Sequence, residues 1–272
     1  MSSPESENKQ YRWWKIILKP IRILYWRILK YNQDRPHLSR HFFKPIHVIN
    51  EIRLLRRIIK EYYVDCVFDV GANTGQYAKM LRKDVGFKGI IISFEPNPEA
   101  FIELKRKATT DPLWIVENIA LSDRDGELTF NVMHGDQFSS LHNPSDEKTK
   151  LFSRSNIIAR TVPVVARTLK SILPHLQATY KFTRPFLKMD TQGHDAAVVR
   201  GCGEQLSVFI GLQSELSIIK IYEGTLDYIE TIKFYESLGY NLSAFLANNR
   251  GHFPTLIETD CLMLRRDLLK AS

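Results

Sequence analysis

Cysteine is scarce in this chain of 272 residues: its three copies, Cys66, Cys202 and Cys261, form no CxxC pair and leave one thiol over in any disulfide scheme. None has a metal-ligand spacing with a histidine, so the sequence predicts neither a disulfide framework nor a zinc site. Unpaired cysteines are typical of a reducing compartment, and we expect the cytoplasm. The balance of 44% hydrophobic and 25% charged residues is that of a globular protein.

Long uncharged runs are missing as well. Lysine and arginine interrupt the aromatic and aliphatic segment 11–31 so often that no uncharged run exceeds four residues. A membrane span needs about 20 mostly apolar residues, and a signal peptide an apolar stretch of about 7 to 15. This segment is therefore expected to be neither.

The positive charge lies at one end of the chain. The formal net charge is +8, but residues 1–60 carry 14 Lys and Arg against 4 Asp and Glu, whereas residues 61–272 carry 24 against 26. Helical winding of residues 11–31 places the aliphatic side chains mainly on one face and the basic ones opposite, with a kink at Pro20. An anionic partner should therefore meet this arm.

Two interpretations of the arm stay open. A cationic amphipathic helix with tryptophans suits an anionic membrane surface, which would attach the protein peripherally to the inner face of the membrane. Alternatively, the apolar face packs on the main domain or on a second subunit of a homodimer. Nucleic acid is not expected as a partner, because so much aliphatic surface gains nothing from phosphates.

After a polar connector at residues 32–45 and a helical pattern from residue 46, strand-like runs alternate with helical ones. The runs IIISF, FLKM and VFIGL are continuously apolar, which is typical of strands buried on both faces by helices. The sequence thus predicts an α/β fold with a doubly wound, mainly parallel sheet. The expected strands cover residues 66–70, 89–94, 114–121, 161–165, 185–190, 208–216, 241–247 and 260–265, with an extra strand at ELTFNV.

The strongest local pattern is FDVGANTGQYAKML, in which an apolar strand turns through two glycines, Gly71 and Gly75, into a helix. The dinucleotide fingerprint needs a third glycine so that a pyrophosphate can reach the helix start, and this turn has Ala-Asn-Thr in the middle. Asp69 beside the turn would repel phosphate and could hold an ammonium or a sulfonium-bearing amino acid. We therefore expect no diphosphate here.

A second pattern, IIISFEPNPEAF, ends the next strand with Glu95. An acid at this position accepts hydrogen bonds from both hydroxyls of a bound ribose. Asn97 and Pro98 are sufficiently explained as the cap and first residue of the next helix. Glu95 and the turn at residues 69–75 together indicate an adenosine site.

The chain resembles the FkbM-type S-adenosylmethionine-dependent methyltransferases between about Cys66 and Met263. The pieces that carry the resemblance are FDVGANTGQY, FEPNP, ENIALS, FSSL, FLKMDTQGHD and ELSIIKIYEG, in this order. It implies a class I methyltransferase fold, with seven strands and an antiparallel last hairpin, and transfer of a methyl group to a hydroxyl oxygen. With the charge and composition of the N-terminal segment, this divides the chain into an arm and connector at residues 1–45 and a methyltransferase domain at residues 46–272.

The resemblance also implies site residues. The family pattern puts Asp69, Gly71, Asn73 and Gly75 around the methionine part of S-adenosylmethionine, Glu95 on its ribose, and Asn118 with Ala120 near its adenine. Two positions depart from the pattern. Asp195 stands where the family usually has glutamate, and Lys170 where it usually has aspartate.

Three residues are candidates for catalysis. Asp190 closes one apolar strand and Glu215 lies at the end of the next, at the carboxyl edge where open α/β sheets bind ligands. His194 follows Asp190 by four residues. We expect His194 or Asp190 to take the acceptor proton and Glu215 to orient sugar-type hydroxyls. A capping role for the acids and an ordinary satisfied histidine are the alternatives.

The acceptor is expected to be a hydroxyl of a glycan, a glycolipid or another hydroxylated metabolite. Two alternatives to this enzyme are a membrane-associated adaptor that retains only the fold and a nucleotide-dependent oxidoreductase. The acceptor pocket should be covered by the insertion at residues 122–160 and by residues 245–258, neither of which carries a readable motif.

The interpretation of the arm is testable by co-sedimentation with anionic vesicles. If the arm binds lipid, the full chain will sediment with the vesicles, whereas a chain lacking residues 1–35 will remain in the supernatant. Equal partitioning of the two chains would instead assign the arm to a protein surface.

Overall fold

The computed structural model describes residues 46–145, 152, 154–247 and 254–269, and the predicted arm lies outside these ranges. Within them the helices are α1 Ile46–Glu61, α2 Gln76–Met80, α3 Pro98–Ala108, α4 Leu169–Tyr180, α5 Asp195–Cys202 and α6 Tyr228–Ser237. The strands are β1 Cys66–Val70, β2 Ile90–Phe94, β3 Trp114–Glu117, β4 Ala120–Leu121, β5 Gly126–Met133, β6 Ile158–Arg167, β7 Pro185–Met189, β8 Gly211–Ser217, β9 Tyr240–Leu246 and β10 Glu258–Arg265.

Seven strands form the main sheet, in the order β3-β2-β1-β7-β8-β10-β9. The pairs from β3 to β8 are parallel, whereas β10 runs antiparallel to both β8 and β9. This confirms the predicted doubly wound sheet with its antiparallel last hairpin. No helix within the described ranges is both long enough and apolar enough to cross a membrane.

Helices cover both faces of the sheet, as the continuously apolar strands predict. Every residue of β1 and of β7 is buried. On one face α1, α2 and α3 contribute core residues such as Leu55 and Leu104, and on the other α4, α5 and α6 contribute residues such as Leu173 and Val198. Only two charged side chains, Asp69 and Lys188, lie inside these two central strands.

A second, three-stranded sheet has the order β4-β6-β5. It contains the extra strand predicted at ELTFNV, which is β5, and the strand predicted at residues 161–165, which extends over Ile158–Arg167 and belongs to this sheet. The run 114–121, predicted as one strand, is divided between the two sheets. The division falls at Asn118, whose side-chain amide turns back to donate to the carbonyl of Glu95 at 2.8 Å.

The first helix after β1 is short in its α-helical part. It starts after Gly75, which has a φ of 84°, and continues beyond Met80 as a wider π-helical segment, Leu81–Val85. A Cβ on Gly75 would lie 2.7 Å from the ring of Trp114. Gly75 thus lets α2 approach the sheet closely, as the sequence predicts.

Gly71 allows the closest approach between two neighbouring strand ends. Its φ is 72°, and a Cβ added there would overlap the backbone carbonyl of Asp190. Asp190 in turn donates its own N–H to the carbonyl of Val70 at 3.0 Å. The turns after β1 and β7 therefore touch through their backbones.

Replacing Gly71 by alanine is expected to lower the free energy of unfolding by about 3 kcal/mol, from the backbone overlap and the positive φ together. Gly86→Ala is the matched control, because Gly86 also has a positive φ, 81°, but a Cβ there meets nothing within 4 Å. Gly86→Ala should lower the free energy of unfolding by only about 1 kcal/mol. Urea unfolding measures the free energy of unfolding of both variants. Equal losses of stability would contradict a specific cost of the backbone overlap at Gly71.

Candidate active site

A cavity of about 650 Å³ opens at the carboxyl ends of β1, β2, β7 and β8. Residues 71–73, 95–97 and 119–121 line what we term the turn side. Five acids line what we term the carboxylate side: Glu51, Asp190, Glu215, Glu258 and Asp260. Open α/β sheets bind their ligands at this edge, so the cavity is the candidate active site.

In the turn at residues 71–75, every backbone N–H group has an acceptor inside the protein. Each backbone N–H of these five residues donates within the protein: Gly71 and Ala72 to the Phe94 carbonyl (3.0 and 3.1 Å), Asn73 to Glu95 Oε2 (2.6 Å), Thr74 to Asn73 Oδ1 (2.6 Å) and Gly75 to the Ala72 carbonyl (2.8 Å). Asn73 holds a left-handed backbone, with φ 48°. Asparagine tolerates this conformation better than most residues.

Glu95 is the best-defined carboxylate of the turn side. Its Oε2 accepts from the N–H of Asn73, and its Oε1 accepts from the N–H of Asn97 at 2.8 Å. Each oxygen has a second lone pair. Burial, which leaves 5% of the residue exposed, raises the pKa of Glu95 to about 7. The two fixed oxygens suit the vicinal hydroxyls of a ribose, as the sequence predicts.

Asn118 and Ala120, both predicted near an adenine, have different positions. Ala120 lines the cavity, together with the buried ring of Phe130. Asn118 is exposed and lies outside the cavity lining, and its side-chain amide donates a hydrogen bond to the backbone carbonyl of Glu95. Its position fits support of Glu95 rather than contact with a base.

The structure corrects the expected position of Asp69. This side chain is fully buried and does not line the cavity. Its Oδ1 lies 3.2 Å from the ammonium of Lys188, and its Oδ2 accepts from Ser93 Oγ at 3.2 Å. The ammonium of Lys188 balances the charge of Asp69 inside the sheet. Asp69 therefore does not contact a sulfonium ligand in the cavity directly. Gly75 also lies outside the cavity lining, behind the turn.

Lys188, which the sequence analysis did not single out, connects the sheet to the carboxylate side. Its ammonium lies 3.2 Å from Asp69 and 3.8 Å from Asp190 Oδ2, above the ring of Tyr77. Burial disfavours the charge, but Asp69 and Asp190 outweigh it and raise the pKa of Lys188. A lone charge within the apolar run FLKM was the signal that could have indicated this residue.

Asp190 and Glu215, predicted from neighbouring strand ends, do meet in the cavity. One amide joins them, because Gln192 Nε2 donates to Asp190 Oδ1 at 3.1 Å and to Glu215 Oε2 at 2.9 Å. Burial, followed by the charges of Asp190, Glu258 and Asp260, raises the pKa of Glu215 well above its usual value. The pair is thus close enough to act on one acceptor.

His194 also lines the cavity, but both of its ring nitrogens have partners. Nε2 lies 3.0 Å from the hydroxyl of Ser122, and Nδ1 lies 3.0 Å from Nε2 of His142. Burial and the neighbouring His142 lower the pKa of His194 to about 4. This neutral, fully engaged ring is a weaker candidate for the base than Asp190.

The two positions that depart from the family pattern differ in importance. Lys170 is exposed. Asp195 is buried and accepts hydrogen bonds from Thr191 and from the hydroxyl of Ser214 (2.7 Å) and the N–H of Glu215 (3.1 Å). Asp195 thereby ties the turn after β7 to β8, and the shorter acid still reaches both.

A second glutamine, Gln213, was also missed from the sequence. This buried side chain donates from Nε2 to Glu51 Oε1 and to Asp260 Oδ2, both at 2.9 Å, and accepts from the hydroxyl of Tyr77 at 2.8 Å. Glu51 comes from α1 and Asp260 from β10, so no local pattern could have joined them. Within the described residues, no group of three His, Cys, Asp or Glu is arranged to hold a metal ion.

The sheet order and the position of the cavity together define a class I methyltransferase fold. The model of the methyltransferase FkbM domain matches residues 69–242 of the chain. The chain therefore belongs to the FkbM methyltransferase family, as the sequence resemblance indicated.

Solved structures similar to this chain have low sequence identity to it. The methyltransferase FkbM from Methylobacillus flagellatus is 16% identical, with a TM-score of 0.47, over 74% of this chain and 43% of its own. The present chain thus spans less than half of that protein. Fibrillarin from Aeropyrum pernix, whose structure contains S-adenosyl-L-methionine, is 13% identical with a TM-score of 0.40, over 79% and 73% of the two chains.

Magnesium protoporphyrin IX methyltransferase from Synechocystis is 8% identical, with a TM-score of 0.42, over 84% of this chain and 89% of its own. No sequence among the curated proteins matches the chain.

Replacing Lys188 by methionine is expected to lower the free energy of unfolding by about 3 to 5 kcal/mol, because it leaves the charge of Asp69 buried without its cation. The double variant Lys188→Met/Asp69→Asn should recover most of this loss, since an amide needs no counter-charge. Urea unfolding of the three proteins provides the comparison. A double variant no more stable than the single one would contradict this account of the pair.

Proposed function

We propose that this protein is an S-adenosylmethionine-dependent O-methyltransferase that methylates a hydroxyl of a glycan, a glycolipid or another hydroxylated metabolite. The observation that carries the donor assignment is Glu95, whose two oxygens are fixed by the N–H groups of Asn73 and Asn97 at the edge of the cavity. Membership of a methyltransferase family supports the reaction class.

The turn side fits a nucleoside better than a diphosphate. Each N–H of residues 71–75 already has an acceptor inside the protein, so a pyrophosphate would find no backbone donors there. The closed hydrogen bonding of the turn, rather than the charge of Asp69, argues against a diphosphate. It disfavours a dinucleotide-dependent oxidoreductase.

The residues of the turn side also match the parts of S-adenosylmethionine. Glu95 would accept the ribose hydroxyls, Ala120 and Phe130 would border the adenine, and the backbone of Gly71, which lines the cavity, would border the methionine part. When bound, this group supplies a methyl carbon attached to a positively charged sulfur.

The carboxylate side supplies what a hydroxyl acceptor needs. An alcohol must lose its proton as its oxygen attacks the methyl carbon, and a nearby carboxylate can accept that proton. We assign this role to Asp190, with Glu215 orienting the acceptor hydroxyls by hydrogen bonds. His194 would border the acceptor as a neutral ring, because its pKa of about 4 makes it a poor base.

Calorimetry with S-adenosylhomocysteine tests the donor assignment. The full chain should bind this product and should not bind NAD. Glu95→Gln should weaken the binding about tenfold to a hundredfold, because an amide forms weaker hydrogen bonds with the ribose than a carboxylate. Glu99→Gln, the same change on a side chain that is 69% exposed, should leave it unaltered.

The same titration has a pH dependence with a defined sign. Since the pKa of Glu95 in the free protein is raised to about 7, its carboxyl is mostly protonated at about pH 6 and mostly ionised at about pH 8. Affinity for S-adenosylhomocysteine should therefore rise about tenfold between these values and stay level in Glu95→Gln. Absence of binding in the unaltered chain would favour the adaptor alternative.

The acceptor class requires a separate experiment. Mass spectrometry of cellular glycans and lipids, with and without the protein, should reveal a species heavier by one CH₂ group that depends on both the protein and Asp190. A methylated nitrogen in that species would contradict O-methylation.

A further inference from the structure

Gln192 occupies an unfavourable backbone conformation. Its φ is 53°, and Gly193 follows with a φ of 92°. Residues with a side chain rarely adopt this left-handed region, and such conformations cluster at functional sites. Glycine would adopt it without strain, but glutamine has a side chain that makes contacts glycine could not make.

Contacts from several elements hold this residue. Its amide nitrogen donates to Asp190 Oδ1 at 3.1 Å and to Glu215 Oε2 at 2.9 Å, and its amide oxygen lies 3.0 Å from the hydroxyl of Tyr222, which also donates to the Phe138 carbonyl at 2.7 Å. Its backbone carbonyl accepts from the hydroxyl of Ser140 at 2.7 Å. Tyr222 and Ser140 are both buried. The amide is therefore oriented with its two hydrogens towards the two carboxyls.

This orientation matters because Asp190 and Glu215 would otherwise repel each other. Like charges in one cavity disfavour ionisation, and an N–H donor directed at a carboxylate favours it. Other groups face the pair as well: Lys188 lies 3.8 Å from Asp190, while Glu258, Asp260 and Asp195 surround Glu215 with further negative charge.

We infer that Gln192 is a positioning residue that holds the Asp190 and Glu215 carboxylates side by side for the acceptor, with Tyr222 in contact with its amide oxygen. It acts through the two acids rather than on the methyl group. This inference rests on the proposed function, because the acceptor hydroxyls are the groups that the two acids would bind.

NMR titration of the full chain labelled with ¹³C at the Asp and Glu carboxyls tests the inference without an acceptor. Asp190→Asn and Glu215→Gln assign the two signals. In Gln192→Gly the midpoint of Glu215 should rise by about one pH unit, because one hydrogen bond to its charged form is lost. Tyr222→Phe should raise it by less, since the amide remains.

Lys181→Gly is the matched control. Lys181 also has a positive φ, 59°, and is exposed on the C-terminal cap of α4, so glycine relieves the same backbone strain away from the cavity. Its Glu215 midpoint should equal that of the unaltered chain. Both glycine variants should fold, because glycine adopts these angles freely.

An unchanged or lower Glu215 midpoint in Gln192→Gly would overturn the inference. So would an equal rise in Lys181→Gly, which would indicate a general effect of the backbone. Because the readout is a carboxyl titration, it is independent of the calorimetry. Failure to bind S-adenosylhomocysteine would refute the proposed function alone.

Discussion

The buried ion pair between Lys188 and Asp69 is the interaction on which the rest of the site depends. The two residues are direct neighbours in the register of β1 and β7, the central pair of the parallel sheet. Each charge would be strongly unfavourable alone in this interior, so the pair fixes the strands relative to each other. Lys188 also approaches Asp190, and it thereby joins the interior of the sheet to the cavity that the two strand ends form.

The carboxylate side repeats one arrangement twice. Gln192 connects Asp190 with Glu215 and meets the hydroxyl of Tyr222, and Gln213 connects Glu51 with Asp260 and meets the hydroxyl of Tyr77. In both cases a neutral amide, rather than a cation, organises two acids. Hydrogen bonds from these amides therefore order the acids of the carboxylate side, which suits the recognition of hydroxyl groups.

Much of the fold could be predicted from the sequence, because buried parallel strands are continuously apolar and their turns carry glycine. Gly71 and Glu95 were predicted for the same reason, because each directly follows a strand end, and both line the cavity. Asp69 was misplaced because its partner Lys188 is adjacent only through the pairing of two strands far apart in the chain. The partners of His194 are 72 and 52 residues away, so no local pattern could reveal that its ring is engaged.

The closed hydrogen bonding of the turn at residues 71–75 has an entropic consequence. A loop with open N–H groups gains order only when a ligand supplies the missing acceptors, and that ordering reduces the affinity. Here Phe94, Glu95 and the turn itself satisfy those groups beforehand. A nucleoside that enters the cavity meets a turn that is already ordered. Binding therefore costs little conformational entropy of the backbone.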